Sequence, residues 1–186
     1  AIIQDADILS GWNSEGYDIP YTVNRVARVL GKQRMRDFCL WDQYPRKREY
    51  EKFGKEQETF DLLGRVHLDY MELYRRYTYH EIHSYRLDAV GQFEIGENKV
   101  PYEGTLDQLY NNDYEKFIAY NRQDTMMLKK MDDKLQFIDL ANVLAHANTV
   151  LLQTTMGAVA VTEQAIVNEA HRRGMIVPGR KYRKED

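Results

Sequence analysis

The sequence contains a single cysteine, few prolines and no long apolar run. Cys39 is the only cysteine among the 186 residues, which excludes an internal disulfide and makes a reducing compartment the simplest setting. No apolar segment approaches the roughly 20 residues that a membrane-spanning helix needs, so we expect no membrane partner. Hydrophobic residues make up 43% of the chain and charged residues 30%, which is typical of a folded globular domain.

An excess of positive charge is also missing, because the formal net charge is −3. A protein that holds DNA mainly by neutralising phosphates is usually basic. The charge therefore disfavours a module that only coats DNA. It agrees better with a nuclease, whose metal-binding carboxylates make the site itself acidic.

Short apolar runs, helical periodicity and turn residues predict an α/β fold. The expected strands cover residues 6–12 and 64–69, and the charged segment 45–60, which Gly54 interrupts, is expected to be a protruding hairpin. Helices are expected at 18–30, 70–77, 84–93, 141–152 and 158–173, with a loop or small hairpin at 95–102. A long helix should begin at Asn112 or Asp113 and carry an apolar stripe of Phe117, Ile118, Met127, Leu128, Met131, Leu135 and Ile138.

A carboxylate stands where the first strand passes into a helix, in the segment G-W-N-S-E-G-Y-D at residues 11–18. In α/β sheets, such crossovers are where functional sites are built. The alternative is structural, with Asp18 as a helix cap and Asn13 as a turn residue. The spacing taken alone favours that alternative.

A second constellation is Y-N-R-Q-D at residues 120–124. Residues four apart on a helix share a face, so Tyr120 and Asp124 should point into the same space. A hydroxyl beside a carboxylate could there orient a water molecule and a metal ion. The alternative is a solvated helix face with an incidental pair, and the pattern taken alone favours it.

Together, the two patterns resemble the exonuclease motifs of family B DNA polymerases. Residues 13–18, approached through I-L-S-G-W at 8–12, are similar to the second motif of that exonuclease, and residues 120–124 are similar to the third. Their separation, with L-D-Y at 68–70 and S-Y-R-L at 84–87 between them, also agrees. The likeness extends over essentially the whole chain and is strongest to the polymerases of T4-type phages.

The resemblance implies a ribonuclease H-like exonuclease core that lacks its first strands and is followed by helices. It also implies hydrolysis assisted by two divalent ions, Mg²⁺ or Mn²⁺, with Asp18 and Asp124 as metal ligands. Tyr120 would orient the attacking water, and Asn13 would hold the site or the terminal nucleotide. The complete enzyme would remove a mispaired 3′ nucleotide as a monophosphate.

The family's site also requires an Asp-x-Glu motif on an earlier strand. The triplet D-A-D at residues 5–7 lacks the glutamate and precedes the wrong strand, so we expect the motif upstream of Ala1. The chain would then be an internal piece of a polymerase, with at most feeble nuclease activity of its own. It would comprise a partial exonuclease domain at 1–136, a helical segment at 137–179 and the start of the palm at 180–186.

The predicted hairpin resembles the one that helps separate primer from template in T4-type exonuclease domains. Arg46 and Arg48 could contact phosphates there, although a solvated hairpin of mixed charge is the alternative. The implied partners are the single-stranded 3′ end of a primer, the rest of the polymerase chain and, through it, replisome proteins, in the cytoplasm of an infected bacterium. Two rival hypotheses are a non-catalytic module that binds and partitions DNA strands, and a structural domain whose motifs match by chance.

Overall fold

The computed structural model describes residues 5–52 and 54–179, which form two compact units, one extending to Ile138 and the other beginning at Asp139. The strands are β1 (Ile8–Gly11), β2 (Arg46–Lys52), β3 (Lys55–Asp61) and β4 (Val66–Asp69). The α-helices are α1 (Asp18–Val29), α2 (Tyr70–Tyr77), α3 (Leu87–Ile95), α4 (Leu106–Asn112), α5 (Tyr114–Leu135), α6 (Phe137–Asn148) and α7 (Ala158–Arg172). Two 3-10 helices cover Lys32–Phe38 and Leu152–Met156. The mixed α/β class is thus confirmed.

β1 and β4 form a parallel pair in which Gly11 lies opposite Asp69. Since the two strands run in the same direction, the segments that follow them meet at one edge of the sheet. One of these segments is the 13–18 loop, and the other is α2. The predicted strands therefore exist, and their pairing brings together residues that are more than 50 positions apart.

β2 and β3 form the predicted antiparallel hairpin, with Arg46 opposite Asp61 at its base. The base is fixed by apolar packing, because Phe60 and Leu62 are buried in a cluster with Val23 of α1. Nearer the turn, the faces carry mixed charge, and Lys47 bonds to Glu58 at 2.7 Å. The hairpin is therefore anchored at its base and polar along its length.

The first unit is also held by aromatic side chains of α2. Tyr70 and Tyr74 are fully buried, and both rings contact the ring of Trp12, at centroid distances of 6.5 and 6.0 Å. The Trp12 indole nitrogen donates to the carbonyl of Tyr85 at 3.0 Å. These contacts fix the residue that immediately precedes the 13–18 loop.

Asp113 caps α5, as predicted, by accepting a hydrogen bond from the Lys116 amide at 2.9 Å. The predicted apolar stripe of α5 needs correction at two places. Ile118 is 40% exposed, and Ile138 lies beyond the helix, which ends at Leu135. Gln136 follows in the left-handed conformation and lets the chain turn into α6. The buried stripe is centred on Met127 and Met131, which are fully inaccessible to solvent.

The predicted and observed helices also differ elsewhere, and the helix expected at 84–93 covers Leu87–Ile95. The helix expected at 141–152 begins at Phe137 and ends at Asn148, and α4 was not expected at all. Its start carries a capping box, in which the Thr105 hydroxyl accepts from the Gln108 amide and the Gln108 side chain accepts from the Thr105 amide.

The second unit contains most of α6, the second 3-10 helix and α7. Asn168 of α7 donates to the carbonyl of Asn148 at 2.9 Å, which ties the end of α6 to the middle of α7. The helix predicted at 158–173 is confirmed as α7, and Gly174 follows it with a φ of 68°. The predicted start of the palm at 180–186 lies outside the described residues. None of the described helices has the length and apolarity to cross a membrane.

Candidate active site

The loop at residues 13–18, here called the site loop, joins β1 to α1 through a tight turn. A Cβ atom at Gly11 would lie 2.8 Å from the Cβ of Ser14, so any larger residue there would displace the loop. Asn13 has a φ of 58°, a conformation that asparagine tolerates better than most residues. The Ser14 carbonyl accepts from the Ile19 amide at 2.9 Å, which connects the loop to the first turn of α1.

Asp69, at the carboxyl end of β4, holds the site loop through both of its carboxylate oxygens. Oδ1 accepts from the amides of Asn13 and Met71, and Oδ2 accepts from the amide of Glu15, each at 3.0 Å. Burial raises the pKa of Asp69, and the hydrogen bonds from the three amides partly oppose that rise. Since both oxygens are engaged, Asp69 positions the loop.

No sequence pattern indicated a role for Asp69. Its function follows from the parallel pairing of β1 and β4, which sets a carboxylate opposite Gly11. A carboxylate that ends a buried strand and precedes a helix is the signal that could have identified it.

The Ser14 hydroxyl makes a second set of polar contacts that fix the site loop. The Ser14 hydroxyl lies 3.2 Å from the carbonyl of Gly11 and 2.8 Å from Nε2 of His67. A hydroxyl has one proton, so both hydrogen bonds form only when Nε2 of His67 carries a proton and donates to Ser14. Burial lowers the pKa of His67, which favours the neutral ring.

Asp18 is the first residue of α1 and is exposed. The cap position is Tyr17, and no side chain makes a capping hydrogen bond there, so the alternative in which Asp18 caps the helix is not observed. Partial desolvation raises the pKa of Asp18, although a backbone hydrogen bond opposes the rise. The Asp18 carboxylate therefore does not act as the N-cap of α1.

Tyr120 and Asp124 lie on the same side of α5, as predicted, and both contact Lys99. The Lys99 ammonium donates to Asp124 Oδ2 at 2.7 Å and to the Tyr120 hydroxyl at 3.0 Å. Tyr120 is buried, and the ring of Tyr102 packs edge-on against it at a centroid distance of 5.2 Å. The solvated helix face with an incidental pair is therefore not what the structure shows.

Lys99 is a functional candidate whose contact with Tyr120 and Asp124 was not predicted from the sequence. Burial disfavours its charged form, but the hydrogen bonds to Asp124 and Tyr120 outweigh that effect and raise the pKa of Lys99. Lys99 lies in an irregular segment between α3 and α4, so no periodicity links it to α5. A lysine in a loop carries no signal in the sequence for this contact.

The predicted metal ligands form only part of a metal site. Asp124 Oδ1 is buried and has no hydrogen-bond partner within the described residues, which suits a ligand oxygen. Across residues 5–52 and 54–179, however, Asp18 and Asp124 share no hydrogen bond or ion pair. Over the same ranges, no group of three or more His, Cys, Asp or Glu side chains could hold a metal ion. The described carboxylates alone are therefore an incomplete ligand set.

The two hairpin arginines differ in their surroundings. The Arg48 guanidinium forms ion pairs with Glu15 of the site loop and, at 3.1 Å, with Asp61 of β3. Arg46 is exposed and forms no ion pair within the part of the chain that the structure describes. Of these two arginines, Arg46 is therefore the one whose guanidinium is not paired with a carboxylate in the described residues.

Comparison with known proteins finds similar sequences that cover most of the chain. The family model for the exonuclease domain of DNA polymerase family B matches residues 1–90. The DNA-directed DNA polymerase of Enterobacteria phage T4 is 28% identical over 171 residues, which cover 92% of this chain and 19% of that protein. The corresponding polymerase of Escherichia phage RB69 is 28% identical over 176 residues, covering 94% of this chain and 19% of that protein. The DNA polymerase delta catalytic subunit of Bos taurus is 24% identical over 196 residues, which cover 95% of this chain.

Proposed function

We propose that this chain, a relative of the family B DNA polymerases that spans 19% of the length of its phage relatives, forms part of a 3′→5′ proofreading exonuclease. The observation that carries the proposal is the half-buried Asp124 carboxylate beside Tyr120 on α5, whose Oδ1 is buried and has no partner within the described residues while its Oδ2 accepts from Lys99. A buried carboxylate oxygen without a partner is costly unless a cation or donor completes it. A site that binds a divalent ion accounts for that arrangement.

The fold that we propose for the complete domain is ribonuclease H-like. In the described residues, β1 and β4 form a sheet of two strands, and each strand has one edge without a strand partner. Additional parallel strands of the longer protein would pair at such an edge. The site loop and α2 already follow the carboxyl ends of the two strands, where sites are placed in this class of sheet.

Asp18 and Asp124 are the residues that would hold Mg²⁺ or Mn²⁺, together with carboxylates from outside the described set. The bound ions supply activation of water and stabilisation of negative charge during phosphodiester hydrolysis. Tyr120 would orient the attacking water through its hydroxyl, which Lys99 holds in place at 3.0 Å. Asn13, at the exposed start of the site loop, would bind the terminal nucleotide.

Two further proposals concern the context of the chain. The isolated chain is at most feebly active, because its described residues supply an incomplete set of ligands. In the longer protein, the site would act on the single-stranded 3′ end of a primer in a replicating polymerase, alongside replisome proteins in an infected bacterial cell.

A non-catalytic role in partitioning DNA strands is the second candidate function. The exposed Arg46 on the polar hairpin favours it, since an unpaired guanidinium is suited to a phosphate. In this hypothesis, Asp18 and Asp124 have no chemical role, and the chain acts only by binding DNA.

The deciding experiment compares Asp18→Asn and Asp124→Asn in the longer polymerase that carries this segment. Excision of a mispaired 3′ nucleotide and binding of the same primer-template are measured with Mg²⁺. We expect each variant to lose on the order of 100-fold or more in excision rate while it retains DNA binding. Asp133→Asn is the control, because Asp133 is an exposed residue of α5 that pairs with Lys129.

Loss of DNA binding with an unchanged excision rate per bound primer would favour the strand-partitioning module. Wild-type excision and binding in both variants would remove Asp18 and Asp124 from any role at the site.

A further inference from the structure

We propose that Arg48 is a positioning residue that couples the β2–β3 hairpin to the site loop through Glu15. The catalytic part of this proposal rests on the proposed exonuclease function, whereas the structural part does not depend on it. Arg48 lies on β2, and Glu15 lies 33 positions earlier in the middle of the site loop. The ion pair between them is a direct side-chain link between hairpin and loop.

Arg48 is suited to this link because its guanidinium spans two carboxylates. Nη2 bonds to Oε1 of Glu15, and Nε donates to Oδ1 of Asp61 at 3.1 Å. A planar guanidinium can make both bonds in fixed directions, which a lysine ammonium on a flexible stem does not reproduce. Asp61 belongs to β3, so Arg48 joins both strands of the hairpin to the loop.

Glu15 is held from two sides. Its amide donates to Asp69 Oδ2 at 3.0 Å, and its carboxylate, on a side chain that is 23% exposed, accepts from Arg48. The same Asp69 carboxylate holds the amide of Asn13. Displacement of Arg48 therefore moves Glu15, whose amide is bonded to the same carboxylate as the amide of Asn13. Asp18, the first residue of α1, lies three residues after Glu15.

The link is local and contributes little to global stability, because Arg48 is 44% exposed and exposed ion pairs are weak. What it changes is the fraction of time that the site loop spends in its anchored conformation. A DNA-driven movement of the hairpin that breaks the bond between Arg48 and Glu15 therefore releases the site loop, and a movement that keeps the bond leaves the loop anchored. By linkage, an ordered loop in turn favours one hairpin position.

The first test is amide hydrogen exchange of the chain itself, with Arg48→Gln, Glu15→Gln and the double variant. We expect each single variant to raise the exchange rate of the Glu15 amide by roughly threefold to fivefold. The double variant should exchange no faster than either single variant, because both remove the same link. Lys47→Gln is the matched control, since Lys47 is the neighbouring hairpin cation and pairs with Glu49 and Glu58, which lie within the hairpin.

An unchanged exchange rate in Arg48→Gln would overturn the coupling. Additive effects in the double variant would do so as well, because Arg48 and Glu15 would then act separately. Arg48→Lys provides a further check, and we expect it to restore only part of the protection.

The second test measures excision by the longer polymerase on a single-stranded 3′ end and on a base-paired 3′ end. If Arg48 positions the site loop, Arg48→Gln lowers the excision rate on both substrates. If Arg48 serves only to separate strands, excision of the single-stranded end is unchanged, and the proposal fails. An absence of excision in the wild-type enzyme would contradict the proposed function, while the exchange measurement would still decide the coupling.

Discussion

Asp69→Asn removes the main anchor of the site loop with a change of one atom. Asparagine keeps a carbonyl oxygen that can accept from Asn13 and Met71, but its amide nitrogen would face the N–H of Glu15. Losing a hydrogen bond to a charged group costs about 1.5–3 kcal/mol, and a buried donor left unpaired costs about 1–3 kcal/mol.

Removal of the charge offsets part of this loss. Burial raises the pKa of Asp69, which means that the folded protein holds the ionised carboxylate at some cost. We therefore expect Asp69→Asn to lower the free energy of unfolding by about 2–3 kcal/mol.

Urea unfolding followed by tryptophan fluorescence measures this change in the right part of the molecule. Both tryptophans, Trp12 and Trp41, belong to the first unit. Asp113→Asn is the matched control, because Asp113 caps α5 with one exposed hydrogen bond and asparagine caps a helix about as well as aspartate. Equal stability losses in the two variants would refute the role of Asp69 as an anchor.

Two other variants probe the polar contacts of the first unit. Lys99→Met leaves the half-buried Asp124 carboxylate without its cation, and we expect urea unfolding to show a loss of about 1–2 kcal/mol, whereas Lys129→Met at an exposed pair should show less than about 0.5 kcal/mol. Similar losses in both would contradict the importance of the Lys99 contact. Burial opposes ionisation of Glu94, but hydrogen bonds from Tyr74 and Lys134 lower its pKa below the usual 4.5. Glu94 therefore contributes stability that is present above its unfolded pKa and is lost as pH falls through its lower folded pKa. Glu94→Gln should flatten the decline in unfolding free energy between about pH 5 and about pH 3, and a curve parallel to the wild type would contradict this.

Locally encoded elements were predictable from the sequence. The helix at Tyr70–Tyr77 and the cap at Asp113 depend on neighbours within a few residues, and both are confirmed. The capping box of Thr105 and Gln108 carries an equally local signal, and it was overlooked.

Contacts between distant segments were not predictable in the same way. The bond from Lys99 to Asp124 depends on how α3 and the following loop pack on α5. The three bonds to Asp69 depend on the register between β1 and β4. Periodicity describes one element at a time, so a single sequence identifies Tyr120 and Asp124 as a pair but not the cation that they share.

In the proposed function, Asp18 and Asp124 bind the same divalent ion. The most direct measurement is a titration of the isotopically labelled chain with Mn²⁺, which broadens nearby amide signals in the nuclear magnetic resonance spectrum. We expect the signals of residues 18 and 124 to broaden together along one weak binding curve, and we expect either Asp18→Asn or Asp124→Asn to abolish both effects. Broadening at one residue alone, or independent curves for the two, would contradict a shared ion site.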